Sequence, residues 1–319
     1  MPDYLFRGTA GSYLEESSVK YLTFGRALFC KALAIGACLA SAADAAIVNV
    51  NVQVENLSPT GGVAFTPVWV GFHSGNFDTY NSGAAAGRVA TGLERLAEDG
   101  DVSVLSADFL AGQTYVNNSG VNGAVASNGS TTGRVSGAIG SPSGPPPLQP
   151  GQSATAMFAL DDGGANNFFS YASMILPSND FFIGNGAPQS IDLSNILANG
   201  GSVSFLVGAP GTVNDAGTEA EDFNFTPANG LFGLSGGQTG PNQGADDPSA
   251  FVRSVNGNPF DGFANIPNGA DLTNFNFNDA SLYTGGGIGR ITITAVPEPG
   301  SLALLLAGSS MFVLRRRRS

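Results

Sequence analysis

From Ile47 to Glu55 apolar and polar residues alternate: Ile47-Val48-Asn49-Val50-Asn51-Val52-Gln53-Val54-Glu55. The two-residue period places Val48, Val50, Val52 and Val54 on one face, as in a half-buried strand. Residues 56–62 form a turn. Val63 to Phe72 is apolar and β-rich, and Pro67 within it removes a ladder donor, which predicts an edge or bulged strand. The period changes between Gly87 and Ala97. There Val89, Leu93 and Leu96 share a helical face, Glu94 and Arg95 lie off it, and Glu98-Asp99-Gly100-Asp101 ends the helix. From Val116 to Pro150 Asn, Ser, Gly and Pro dominate, which predicts a long exposed hairpin or loop. Ser153 to Leu160 alternates again. Phe168–Leu176 and Ser202–Val207 read as buried strands, and Gly211–Glu221 as an acidic loop. Thr226 to Gly269 has little periodicity. Gly289-Arg290-Ile291-Thr292-Ile293-Thr294-Ala295 is a clean last strand. Short strands between Gly and Asn turns, with one or two short helices, predict an all-β antiparallel β-sandwich.

Both ends of the chain break this pattern. Arg26 and Lys31 flank a short apolar run, Ala32 to Ala40, and small residues follow it from Ser41 to Ala46. A basic flank, a short apolar core and an Ala-x-Ala site predict a secretory signal peptide region over 1–46, cleaved near Ala43 to Ala46. Ile35-Gly36-Ala37-Cys38 is a weaker, lipoprotein-like alternative. A buried N-terminal helix is the other alternative. At the far end, residues 296–319 hold Pro297-Glu298-Pro299, an apolar run from Ser301 to Leu314, and Arg315 to Arg318. The run is about 14 residues, roughly 21 Å as a helix, short of the ~20 residues of a permanent span. By the positive-inside rule the arginines face the cytoplasm. The order of these elements resembles the PEP-CTERM sorting signal of Gram-negative bacteria. The resemblance implies transient anchoring in the inner membrane and processing by an exosortase-type enzyme at Pro297, Glu298 and Pro299. A plain C-terminal anchor is the alternative, and in either case the middle of the chain faces outward.

Composition sharpens the picture of residues 47–295. Between the two ends only Arg88, Arg95, Arg134, Arg253 and Arg290 are basic, against 20 acidic residues, and there is no lysine. A domain near −15 repels phosphate backbones, so nucleic-acid binding is not expected. Both cysteines, Cys30 and Cys38, lie in the export segment. The remaining domain therefore has no disulfide and no thiol nucleophile.

Two segments could carry chemistry: Pro177-Ser178-Asn179-Asp180 between apolar runs, and Asp215-Ala216-Gly217-Thr218-Glu219. Gly217 permits a tight backbone, which would let Asp215 and Glu219 turn towards one point. Hard cations such as Ca²⁺ take several oxygens from carboxylates, carbonyls and water. Asp180, Asp215 and Glu219 could supply them if the two loops meet at one end of a sandwich. The bland reading is a pair of solvated acidic loops. His73 is the single histidine. A triad with Ser74 and Asp78 lacks a nucleophile elbow, and zinc would lack partner ligands, so a structural or surface histidine is expected. Asp161-Asp162 and Asp246-Asp247 read as turn residues, although a glycosidase-type carboxylate pair stays open. Trp69 is expected in the core. Asn56-Leu57-Ser58 and three further sequons fit chance in an Asn-rich chain.

The segment Met174-Ile175-Leu176-Pro177-Ser178-Asn179-Asp180-Phe181-Phe182-Ile183-Gly184 resembles the spondin N-terminal domain pattern M-I-x-P-S-P-D-W-x-V-G. Asp215 to Glu219 resembles its D-A-G-T-D/E loop, and Gly285 to Ile293 its closing G-G-x-I-x-x-V-x-I strand. Leu93 to Asp101 resembles a segment of bacterial members. The pieces occur in family order across residues 47–295. Asn179 and Phe181 depart from the pattern, and the family's cysteines are absent. The resemblance implies a C2-like, spondin-type sandwich with Ca²⁺ held by Asp180, Asp215 and Glu219. The resulting expectation is a non-enzymatic, secreted or cell-surface Ca²⁺-binding module. Its role would be adhesion or association with an extracellular matrix protein or exopolysaccharide, as in a biofilm. The alternatives are a secreted polysaccharide-acting hydrolase with paired carboxylates, and a metal-free structural sandwich.

Overall fold

The computed structural model describes residues 47–83, 89–111, 131–136, 147–161, 164–221, 243–248, 251–261, 276–278 and 286–296. All of them belong to the unit Ala45–Ser319. The export segment and the Pro297-Glu298-Pro299 tail lie outside the described residues. Alternation in β1 (Ile47–Asn56) does what its period dictates: Val50, Val52 and Val54 are buried while Asn49, Asn51 and Gln53 are not. β1 pairs antiparallel with β5 (Ser153–Asp161) on one side and β11 (Gly289–Val296) on the other. β8 (Gly201–Val207) completes a four-stranded sheet in the order β5-β1-β11-β8.

The second sheet runs β10 (Arg253–Ser254), β9 (Val213–Asp215), β7 (Phe181–Gly184), β6 (Phe168–Leu176), β3 (Val68–His73), β4 (Thr131–Val135). The short β2 (Ala64–Phe65) also pairs with β6. Every pairing between these strands is antiparallel. Val50, Val52, Val54, Ile291 and Ile293 of the small sheet pack in one core with Val70, Phe72, Phe169, Ile175, Phe181 and Ile183 of the large one. Each such side chain contributes about 1.5–3 kcal/mol on full burial. The predicted antiparallel β-sandwich is therefore the fold.

The outer face of the large sheet is covered as well. α1 (Thr91–Asp99) and α2 (Val102–Ala111) lay Leu93, Leu96, Val102, Leu105 and Phe109 against Trp69, Ala172 and Phe182. Cover on both faces explains why β3 and β6 are buried along almost their whole length, and why their sequences read as continuous apolar runs. Gly100, at φ 66°, ends α1 and returns its N–H to Leu96 O at 3.0 Å. Asp101 then caps α2 by accepting the Ser103 N–H on Oδ1 at 2.8 Å.

Several local expectations need correction. The described residues hold three helices, not one or two; α3 (Ser194–Asn199) and α2 were not expected. The run containing Pro67 is two strands, β2 and β3, broken around the proline. β3 is interior, between β4 and β6, so it is not an edge. Within 116–150, expected as a long exposed hairpin or loop, β4 is a strand that pairs with β3 and is not wholly exposed, because Val135 fills a core position. β8 is an edge strand with exposed residues, where a buried one was expected. Asn56 is buried, and its side-chain amide donates inward to Val63 O and Leu148 O. Among the described residues no helix is long and apolar enough to cross a membrane.

Candidate metal centre

Antiparallel pairing brings four strand ends to one corner of the large sheet: the end of β6, the start of β7, the end of β9 and the start of β10. The turn from β6 to β7 opens with a cis Leu176–Pro177 bond. Ser178 ties it down, donating to Ile175 O at 2.5 Å and accepting the Phe181 N–H at 3.0 Å. Asp180 therefore sits at the inner end of the turn, fully buried. Phe181 pairs with Asp215 in the β7–β9 ladder, so the two loops do meet.

The second loop folds around the first. Gly217, at φ 66°, lies against the backbone of Phe251, and a Cβ there would collide with it. Its N–H donates to Asp215 Oδ1 at 2.5 Å. The next two N–H groups, of Thr218 and Glu219, donate to Asp180 Oδ2 at 2.9 and 3.1 Å. Ala216 N–H reaches Asp180 O at 3.1 Å, and the Asn179 amide donates to Ala220 O at 2.7 Å. The other Asp180 oxygen, Oδ1, is buried and has no hydrogen-bond partner among the described residues. An orphaned buried carboxylate oxygen costs several kcal/mol unless a proton or a cation meets it.

Three carboxylates converge here. One oxygen each from Asp180, Asp215 and Glu221 lie within 4.8 Å of one another. Glu221 is exposed as a residue, yet its carboxyl hydrogen-bonds to that of Asp215. Without a metal, burial and mutual repulsion raise the proton affinity of the group. Burial, then the Asp215 charge, pushes Asp180 up to about 7. Although the residue as a whole is exposed, desolvation of its carboxyl at the centre, then the charges of Asp215 and Asp180, pushes Glu221 up to about 9. Burial raises Asp215 too, against the pull of Arg253, whose Nη2 lies 2.7 Å from Asp215 Oδ2.

Of the residues expected from sequence, Asp180 and Asp215 come together. Glu219 is buried beside them and binds Asp180 through its backbone N–H, but its carboxylate is not one of the three that converge. Glu221 takes that position. Its only sequence signal was membership of an acidic loop, which does not distinguish a ligand from a solvated side chain. Glu98, at the C-terminal end of α1, is also buried and hydrogen-bonds to the Thr218 side chain. Burial pushes it up to about 7.

The donor set is all oxygen, anionic and partly desolvated, which fits a hard divalent cation rather than a thiophilic or imidazole-seeking one. Asp246 and Asp247 lie alongside, Asp246 bridging Glu219 through the backbone and Asp247 pairing with Arg253 at 2.7 Å. Asp162 of the other acidic pair lies outside the described residues. No family model matches the chain, and no curated protein matches it.

Proposed function

We propose that the sandwich is a calcium-binding module of the cell exterior, with Asp180 and Asp215 as the central ligands and Glu221 completing the acidic set. The observation that carries this reading is the orphaned Asp180 Oδ1, buried where three carboxylates meet. Glu219 is the further oxygen donor that the spondin resemblance implies. Calcium would neutralise carboxylates that otherwise hold protons, and would join the β6–β7 turn to the β9 loop. The export segment and the PEP-CTERM-like tail support placement at the cell surface or outside the cell, after exosortase-type processing. The same resemblances support a non-enzymatic role in adhesion or exopolysaccharide association.

The test is thermal unfolding of the full-length protein with calcium. At a concentration ten times Kd, one site adds about 1.4 kcal/mol, which raises Tm by a few degrees in a domain of this size. Asp180→Asn is expected to abolish that gain. A wild-type Tm indifferent to 10 mM Ca²⁺ would remove the reading, since extracellular sites work at about 10⁻⁴–10⁻³ M.

A further inference from the structure

The centre already has a cation beside it. Arg253 stands opposite Asp215 in the β9–β10 ladder. Its Nη2 lies 2.7 Å from Asp215 Oδ2, and its Nη1 2.7 Å from Asp247 Oδ2. The other Asp215 oxygen accepts the Gly217 N–H. Both Asp215 oxygens are thus engaged, whereas Asp180 retains Oδ1. Among the described arginines, Arg95 pairs with Glu98 and Asp99, and Arg290 with Glu55. Arg253 alone of these three has an ion pair to a member of the converging set.

We propose that Arg253 is a built-in competitor that sets the calcium affinity of the centre. A divalent ion bound by Asp215 must share that carboxylate with the guanidinium, which carries like charge. Two features let Arg253 yield without losing every partner. Asp247 holds Nη1 independently, and the arginine side chain is 32% exposed against 6% for that of Asp215. With calcium away, the guanidinium offsets part of the charge of the cluster. With calcium bound, Asp247 retains it. The affinity of the site is therefore lower than its carboxylates alone would give. This inference rests on the calcium reading and deepens it.

Calorimetric titration of Ca²⁺ into the full-length protein tests it with four variants. Arg253→Gln is expected to tighten binding about tenfold, the scale of one close like-charge contact in a partly desolvated site. Arg253→Lys, which keeps the charge but not the two-pronged contact, should fall between Gln and wild type. Arg290→Gln removes the same charge from the small sheet and should change affinity less than about twofold. Asp247→Asn takes away the retreat and should weaken binding. Wild-type binding with Arg253→Gln equal or weaker overturns the inference, because Arg253 then positions Asp215 for the ion. An Arg290→Gln effect as large as that of Arg253→Gln also overturns it, by reducing it to net charge. If Arg253→Gln does not fold, the lysine and Asp247→Asn variants decide: unchanged or tighter binding in Asp247→Asn sinks the proposal. Wild type that binds no calcium sinks the calcium reading and the inference with it.

Discussion

His73 accepts the Gly75 N–H on Nδ1 at 3.0 Å, so its proton belongs on Nε2, 3.0 Å from Ser170 Oγ. In that tautomer it donates to the serine and cannot take the serine's proton. It is fully buried, with Phe77, Phe109 and Phe168 around it. Burial lowers its pKa to about 4. The unfolded chain then binds more protons than the native one between pH 4 and 6.5, so this group makes stability rise with pH across that window. We expect His73→Gln to remove about 2 kcal/mol of the wild-type difference between pH 7 and pH 5, read by urea unfolding at both values. Legibility at this scale was uneven. Asp180 and Asp215 stood out because turn residues and a glycine mark their loops. Arg253 did not, because the pairing of β10 with β9 joins segments separated by a stretch with no periodic pattern. The sequence left His73 open between a structural and a surface position, because one histidine at the end of an apolar run carries no signal of its depth.

At the scale of elements, half-buried strands were the easiest to read. β1 and β11 alternate because one face of the small sheet is left to water. β6 was legible as an apolar run, but the reason for its lack of alternation was not: a second cover of helices. α2 was missed because Gly100-Asp101 was read as an end, when it is a link that closes one helix and caps the next. Its apolar residues, Val102, Leu105 and Phe109, had no polar stripe strong enough to betray the period. The same cover gives a probe. Trp69, the single tryptophan, packs edge-on to Phe109 at 5.4 Å and near Phe77 at 5.5 Å. Leu105→Ala opens a cavity in this layer and should cost about 2–5 kcal/mol, measured by urea unfolding followed through Trp69 emission. A cost below about 1 kcal/mol would mean that the helical pair is a loose appendage.

Across the whole molecule, the acid-rich composition becomes a dependence on pH, to which the proposed calcium site would add a dependence on calcium. Asp78 is pushed up to about 6 by burial, and Glu98 and Asp180 to about 7. A raised carboxylate holds its proton longer in the native state, so stability without calcium falls as pH rises through these values. Above pH 6.5 His73 no longer opposes this trend. Between pH 6.5 and 8 we therefore expect the calcium-free Tm to drop while the gain from calcium grows, since protons and calcium compete for Asp180. Scanning calorimetry at pH 6.5, 7.25 and 8, with EDTA or 10 mM CaCl₂, reads both trends. A calcium gain that shrinks with rising pH would contradict the assignment of Asp180 as a ligand.

β11 is bonded on both flanks, to β1 through Asn49 opposite Val296 and to β8 through Gly201 opposite Ala295. Tension entering lengthwise at Val296 is met by two ladders in shear, whose bonds share the load instead of peeling singly from a free edge. If the proposed sorting tail tethers the domain, the strand that takes the pull is gripped on both sides.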